Sequence, residues 1–163
     1  MVAAAAVWIG GTEGSLALRE SVWVYPLIET VHVLAICLFV GFTALLDLRL
    51  LGCALGRTPV SEIVARIMPW TWMGFAVMVA TGVLLLYGDP VRFLSNVFFQ
   101  AKLGVLALAG INAAVFHATV YRRVHQWDTS PAIPIQARIA GAVSLLAWAT
   151  VVLTGRMIAY NWF

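Results

Sequence analysis

The sequence predicts an all-α integral membrane protein: a four-helix bundle, N-out and C-out, preceded by a short N-terminal interfacial helix. Three observations predict it. Hydrophobic residues fill 63% of the 163 positions and charged residues only 10%, against about 25% charged in soluble domains, and the mean hydropathy is +0.95. The apolar residues form four runs of about 20 residues, the length that crosses a bilayer. Arginines gather in alternate connections, as the positive-inside rule requires of a chain that crosses and recrosses.

The N-terminal Met1 to Ile9 stretch is apolar but lacks a basic flank and is too short to span. It reads as an interfacial segment, followed by a break at Gly10-Gly11 and a second short helix near Ser15 to Glu20. Transmembrane helices are then expected at about 23–50, 68–87, 97–121 and 139–162, within a single domain over 1–163. Pro69 is placed at the start of the second, where its missing N–H costs nothing. Gly88-Asp89-Pro90 stops that helix, and Arg122-Arg123 closes the third. Backbone polar groups in lipid must be satisfied within the segment, so runs of this length are helical.

The first connection carries Arg49, Arg57 and Arg66, and the third carries Arg122, Arg123 and Arg138. The second holds only Arg92 and the N-terminal segment only Arg19. Both termini are therefore expected on the periplasmic side and both arginine-rich connections in the cytoplasm. Trp8, Trp23, Tyr87, Tyr160 and Trp162 then mark the outer interface, and Trp70, Trp72, Tyr121 and Trp127 the inner one. Gly41, Gly74, Gly82, Gly104, Gly110, Gly141 and Gly155 are candidates for close helix approach. Cys37 and Cys53 lie more than four helical turns apart without metal-ligand spacing, and are read as small buried apolar residues. The net charge of +3 is assigned to membrane orientation, not to nucleic acid.

Ionisable groups within a bilayer are costly and are functional candidates by default. Four lie well inside the runs: Glu29, His32, Lys102 and Arg156. Counted from the helix midpoints at about 1.5 Å per residue, Glu29, Lys102 and Arg156 lie roughly 9–10 Å towards the outer side, and His32 about 5 Å. On the first helix Tyr25, Glu29, His32, Ile36, Phe39 and Thr43 recur at three- and four-residue steps, one face expected to point inward. Glu29 is expected to pair with Lys102 or Arg156.

That pocket suits a heme b, with His32 as iron ligand and Lys102 and Arg156 holding the propionates. A quinone site is a further reading, with His32, Tyr25 and Tyr160 hydrogen-bonding its carbonyl oxygens. His117 is the obvious second metal ligand, but counting along the helices places it roughly 17 Å below His32. A structural ion network is the plain alternative. His125 is expected to be solvated, Asp47 and Arg49 to anchor the inner interface, with Arg122 or Arg138 as a partner for Asp47, and Asn112 to bond between helices.

Tyr25-Pro26-Leu27-Ile28-Glu29-Thr30-Val31-His32, the segment from Gly41 to Gly52, Phe98-Phe99-Gln100-Ala101-Lys102, Asn112 with His117, and Gly155-Arg156-Met157-Ile158-Ala159-Tyr160 resemble a family of small bacterial four-helix membrane proteins of unknown function. The resemblance spans nearly the whole chain and implies a bacterial inner-membrane location, but no reaction. His32 with Gly41 is loosely similar to four-helix membrane proteins that carry heme b or handle copper. Three histidines cannot ligate the two bis-His hemes of a diheme cytochrome b.

Two functional readings stay open. The first is an electron-transfer membrane protein binding heme b or quinone near the outer face. The second is a cofactor-free accessory or scaffold subunit of a larger membrane complex, partnered by other subunits or by further copies of itself. A small-solute translocator is disfavoured, because the midplane has few polar groups and no broken helix. No nucleophile, base and orienting partner can be assembled, so no hydrolase or transferase is expected.

Overall fold

The computed structural model describes residues 2–128, 130 and 132–160. Among these there is no strand. Two short helices, α1 (Val2–Gly10) and α2 (Glu13–Glu20), precede the first long one, α3 (Val24–Leu51). Then come α4 (Val60–Gly88), the one-and-a-half-turn α5 (Pro90–Ser95), α6 (Val97–Ala118), a short 3-10 segment at Tyr121–Gln126, and α7 (Ile135–Tyr160). The helices α3, α4, α6 and α7 are each long and apolar enough to cross a membrane. The interface residue Trp162 and the expected end of the last helix lie outside the described residues.

Hydrophobic sequence alone does not say which helices touch. Here α3 is central, packing on α4 along one side and on α7 along another, and α6 packs on α7. Close approach follows from missing side chains: a Cβ on Gly74 would stand 3.2 Å from the Phe39 backbone nitrogen. One on Gly141 would stand 3.0 Å from the Asp47 carbonyl oxygen. Asn112 on α6 donates to the Ala140 carbonyl of α7 at 3.0 Å, the interhelical bond its position in an apolar run predicts.

Two apolar clusters fill the bundle. One lies at the arginine-rich end and joins Leu50, Val60, Val64, Phe116, Val124, Trp127, Ala137 and Ala140. The other lies mid-bundle, where Ala35, Phe39 and Met78 meet Trp148, with Phe39 edge-on to the indole at 4.7 Å. Trp127, expected at the interface, is therefore a core residue. Cys37 and Cys53 are exposed, not buried.

Pro69 lies inside α4, not at its start. The helix begins nine residues earlier because Val60, Ile63 and Val64 are buried, and their spacing is one helical face. Its first turn is capped from a distance. The Asp128 carboxylate, in the α6–α7 connection, accepts the Ser61 backbone N–H at 2.9 Å and the Ser61 hydroxyl. Burial pushes the Asp128 carboxyl up, but these hydrogen bonds outweigh it and hold it below the usual carboxylate value.

At the other end α1, α2 and α5 cover the finish of α4. Ser15, fully buried, donates to the Tyr87 carbonyl at 2.8 Å and lies 3.2 Å from that of Gly88. Terminal carbonyls of a helix have no partner within it, and α2 supplies one. Asp89 and Asn96 cap α5 and α6.

Candidate functional site at the α2 end

The apolar clusters stop one turn short of His32, and from there towards α2 polar groups take over. His32 on α3 reaches across to α4, with its Nδ1 2.8 Å from Thr81 Oγ1. Thr81 is buried, and its hydroxyl lies 2.7 Å from the Val77 carbonyl and 3.2 Å from that of Met78. Carbonyls only accept, so the single hydroxyl proton is committed to the helix backbone. Thr81 Oγ1 can then only accept from the ring, which fixes the proton on Nδ1 and leaves the Nε2 lone pair bare. The ring also hydrogen-bonds the Met78 backbone carbonyl, and Thr81 is its one side-chain hydrogen-bond partner among the described residues.

Glycines make the room. A Cβ on Gly82 would stand 3.2 Å from His32 Cε1, and one on Gly155 would stand 3.4 Å from Lys102 Nζ. The imidazole thus lies over α4 and the Lys102 ammonium of α6 over α7, each half-buried. Lys102 is near enough for its charge to act on the His32 ring. Among the described residues its ammonium has neither an ion pair nor a hydrogen bond. A bare lone pair and an uncompensated cation therefore share one level of the bundle. Such a pair can accept a hydroxyl hydrogen at one point and hold a carbonyl or an anion at the other.

The remaining predicted residues do not join them. Glu29 is exposed and pairs with neither cation; among the described residues the ion pair is Arg66–Glu62 at 2.7 Å, a surface pair on α4. Arg156 follows Gly155, and a one-residue step turns a helix by about 100°, so it points away from Lys102. It lies along α7, donating to the Tyr160 hydroxyl at 2.7 Å with its guanidinium 4.9 Å from that ring. Tyr25 packs over Gly88 and Leu18 in the α2–α4 seam.

His117 sits at the arginine-rich end, against Phe116 and Tyr121 with ring centroids at 5.4 and 5.2 Å. Fifteen residues separate it from Lys102, about 22 Å along α6, so His32 and His117 occupy opposite ends. Among the described residues no group of three His, Cys, Asp or Glu side chains could hold a metal ion. His125 is exposed.

Sequence reading missed Thr81 and the seating role of Gly82 and Gly155. The available signal was a hydroxyl residue followed by glycine within an apolar run. It also missed the depth of Asp47, which is 5% exposed at the α3–α7 crossing and has no partner for Oδ2 among the described residues. Ser144 approaches the carboxyl group. Neither Arg122 nor Arg138 reaches it, and buried Arg49 donates instead to the Thr58 carbonyl at 2.9 Å.

No curated protein and no solved structure matches the chain. A family of unknown function, DUF6644, matches residues 19–161, which include all four long helices and every residue of the site. The chain belongs to that family.

Proposed function

We propose that the chain is an electron-transfer membrane protein whose α2-end site binds the headgroup of a quinone or quinol. The observation that supports this reading most is the Val77–Thr81–His32 relay. It presents a neutral imidazole with a bare Nε2, the acceptor a quinol hydroxyl requires. Lys102 supplies the cationic donor for the second ring oxygen. A lipid-soluble ligand needs no aqueous route, and its tail would remain among the exposed apolar side chains. With the arginine-rich connections in the cytoplasm, the site opens to the outer half of a bacterial inner membrane, with both termini periplasmic.

Heme b is the second reading, favoured by the same relay. A ligating histidine ordinarily donates its other ring N–H to a fixed acceptor, as His32 does to Thr81. Lys102 would then hold a propionate, and His117, at the opposite end of the bundle, would not join His32 in holding the group.

The test is binding of a short-tailed quinone to the purified chain in mild detergent, with a reduced-minus-oxidised visible spectrum. Saturable binding, weakened at least tenfold by His32→Ala and by Lys102→Met but not by Glu29→Gln or Arg156→Gln, supports the quinone reading. Reduced heme bands lost in His32→Ala support the second. Neither quinone binding nor heme bands from folded protein would leave the chain an accessory subunit of a larger complex.

A further inference from the structure

The arginine-rich end carries a cleft of about 600 Å³ between the end of α6, the 3-10 segment and the start of α7. That is within the roughly 300–1,000 Å³ of small-ligand sites. Arg122, Arg123, Gln126 and Gln136 line it, with Trp127 forming part of the wall. Both arginines are exposed, and among the described residues neither has an ion pair or a hydrogen bond.

What makes the cleft cationic is where the nearby acids go. Asp128, five residues from Arg123, is held by Ser61 at the start of α4. Glu62 is taken by Arg66, and Asp47 is buried between α3 and α7. The carboxylates of this end are thus turned elsewhere or enclosed, and among the described residues the two guanidiniums face the cavity without an ion-pair partner. From the cleft towards the middle of the bilayer, the surface continues as exposed Val115, Ile135 and Ile139. Charge therefore meets apolar surface at the end of two spanning helices, where phospholipid headgroups lie.

We infer that the Arg122–Arg123 cleft binds the phosphodiester headgroup of an anionic phospholipid, whose acyl chains run along Val115, Ile135 and Ile139. Guanidinium forks match phosphate oxygens in pairs, and basic clefts at helix ends are where such headgroups bind. The glutamines supply amide donors for the glycerol side of the headgroup.

The experiment follows thermal unfolding of the full chain in detergent during titration with phosphatidylglycerol, phosphatidylcholine or inorganic phosphate. Phosphatidylglycerol should stabilise saturably and the other two should not. Losing two arginines at the membrane surface should weaken the apparent affinity about thirtyfold, as read in Arg122→Gln/Arg123→Gln. The charge-matched Arg19→Gln/Arg57→Gln should bind as the parent does, and Arg122→Lys/Arg123→Lys, which keeps the charge but loses the fork, should fall between the parent and the glutamine variant. Equal stabilisation by inorganic phosphate would overturn the lipid as the source of the phosphate. Unaltered affinity in the glutamine double variant, or an equal loss in the charge-matched control, would overturn the site.

Discussion

Thr81 Oγ1 stands 2.8 Å from His32 Nδ1, and this contact, with the Met78 carbonyl that also hydrogen-bonds the ring, sets which imidazole nitrogen faces the ligand. Thr81→Val keeps the shape and removes the acceptor. Orphaning a half-buried N–H should cost about 1 kcal/mol of stability. The larger effect should be on the ligand, whose affinity should fall about 10–100-fold, as when the outer partner of a ligating histidine is removed. Thr81→Ser should restore most of it. Thermal unfolding and quinone titration of the two variants check both numbers.

The glycines divide by what faces them. At Gly82 an added Cβ meets only the end of the His32 side chain at 3.2 Å, so Gly82→Val should displace the ring and abolish binding while the fold survives. At Gly74 and Gly141 the opposing atoms are backbone and the Cβ atoms of Phe39 and Leu50, which cannot swing aside, and alanine there should cost about 1–3 kcal/mol. Among the described residues nothing lies within 4 Å of a Cβ at Gly104 or Gly110, so alanine there should stay within about 0.5 kcal/mol. Thermal unfolding of the alanine variants, with ligand titration of Gly82→Val, separates the three classes.

The depths of these residues were legible in the sequence and their directions were not. Residue count gives the shared level of Lys102 and Gly155-Arg156 along the bundle. Which way each points depends on which helices are neighbours, and four apolar runs do not record that. So Lys102 meets α7 at Gly155, while Arg156, one position on, folds back on Tyr160. Pro69 misled for a related reason. The apolar run begins near it, but Val60, Ile63 and Val64 bury in the inner cluster and carry the helix past the proline. The all-helical class and the four spans needed none of this, because charge deficit and run length suffice.

Asp128 gives the fold a pH dependence of definite sign. Its folded pKa is held below the usual carboxylate value by the Ser61 hydrogen bonds. Its cap therefore contributes fully above that value and is lost as pH falls through the lower folded one. Thermal stability should have a flat component from pH 5 to 8 and a step down below pH 4. Asp128→Ala should lose about 1 kcal/mol at pH 7, the usual worth of an N-cap. It should also lack its share of the acid step. Unfolding midpoints across pH for the two proteins measure this directly.

Asp47 should respond in the opposite way to its burial. Among the described residues Oδ2 has no partner to lose, so Asp47→Asn should leave stability within about 0.5 kcal/mol or raise it. A loss of several kcal/mol on thermal unfolding would mean that the carboxylate is paired.

Nitrogen-15 spectra of histidine-labelled protein in detergent observe the Nε2 of His32 directly. With His32 assigned from His32→Gln, its ring should carry the proton on Nδ1 at pH 7.5. Adding a short-tailed quinol should shift its Nε2 resonance while those of His117 and His125 stay in place. A His32 ring protonated on Nε2, or one that ignores the quinol while His117 or His125 responds, would contradict the site.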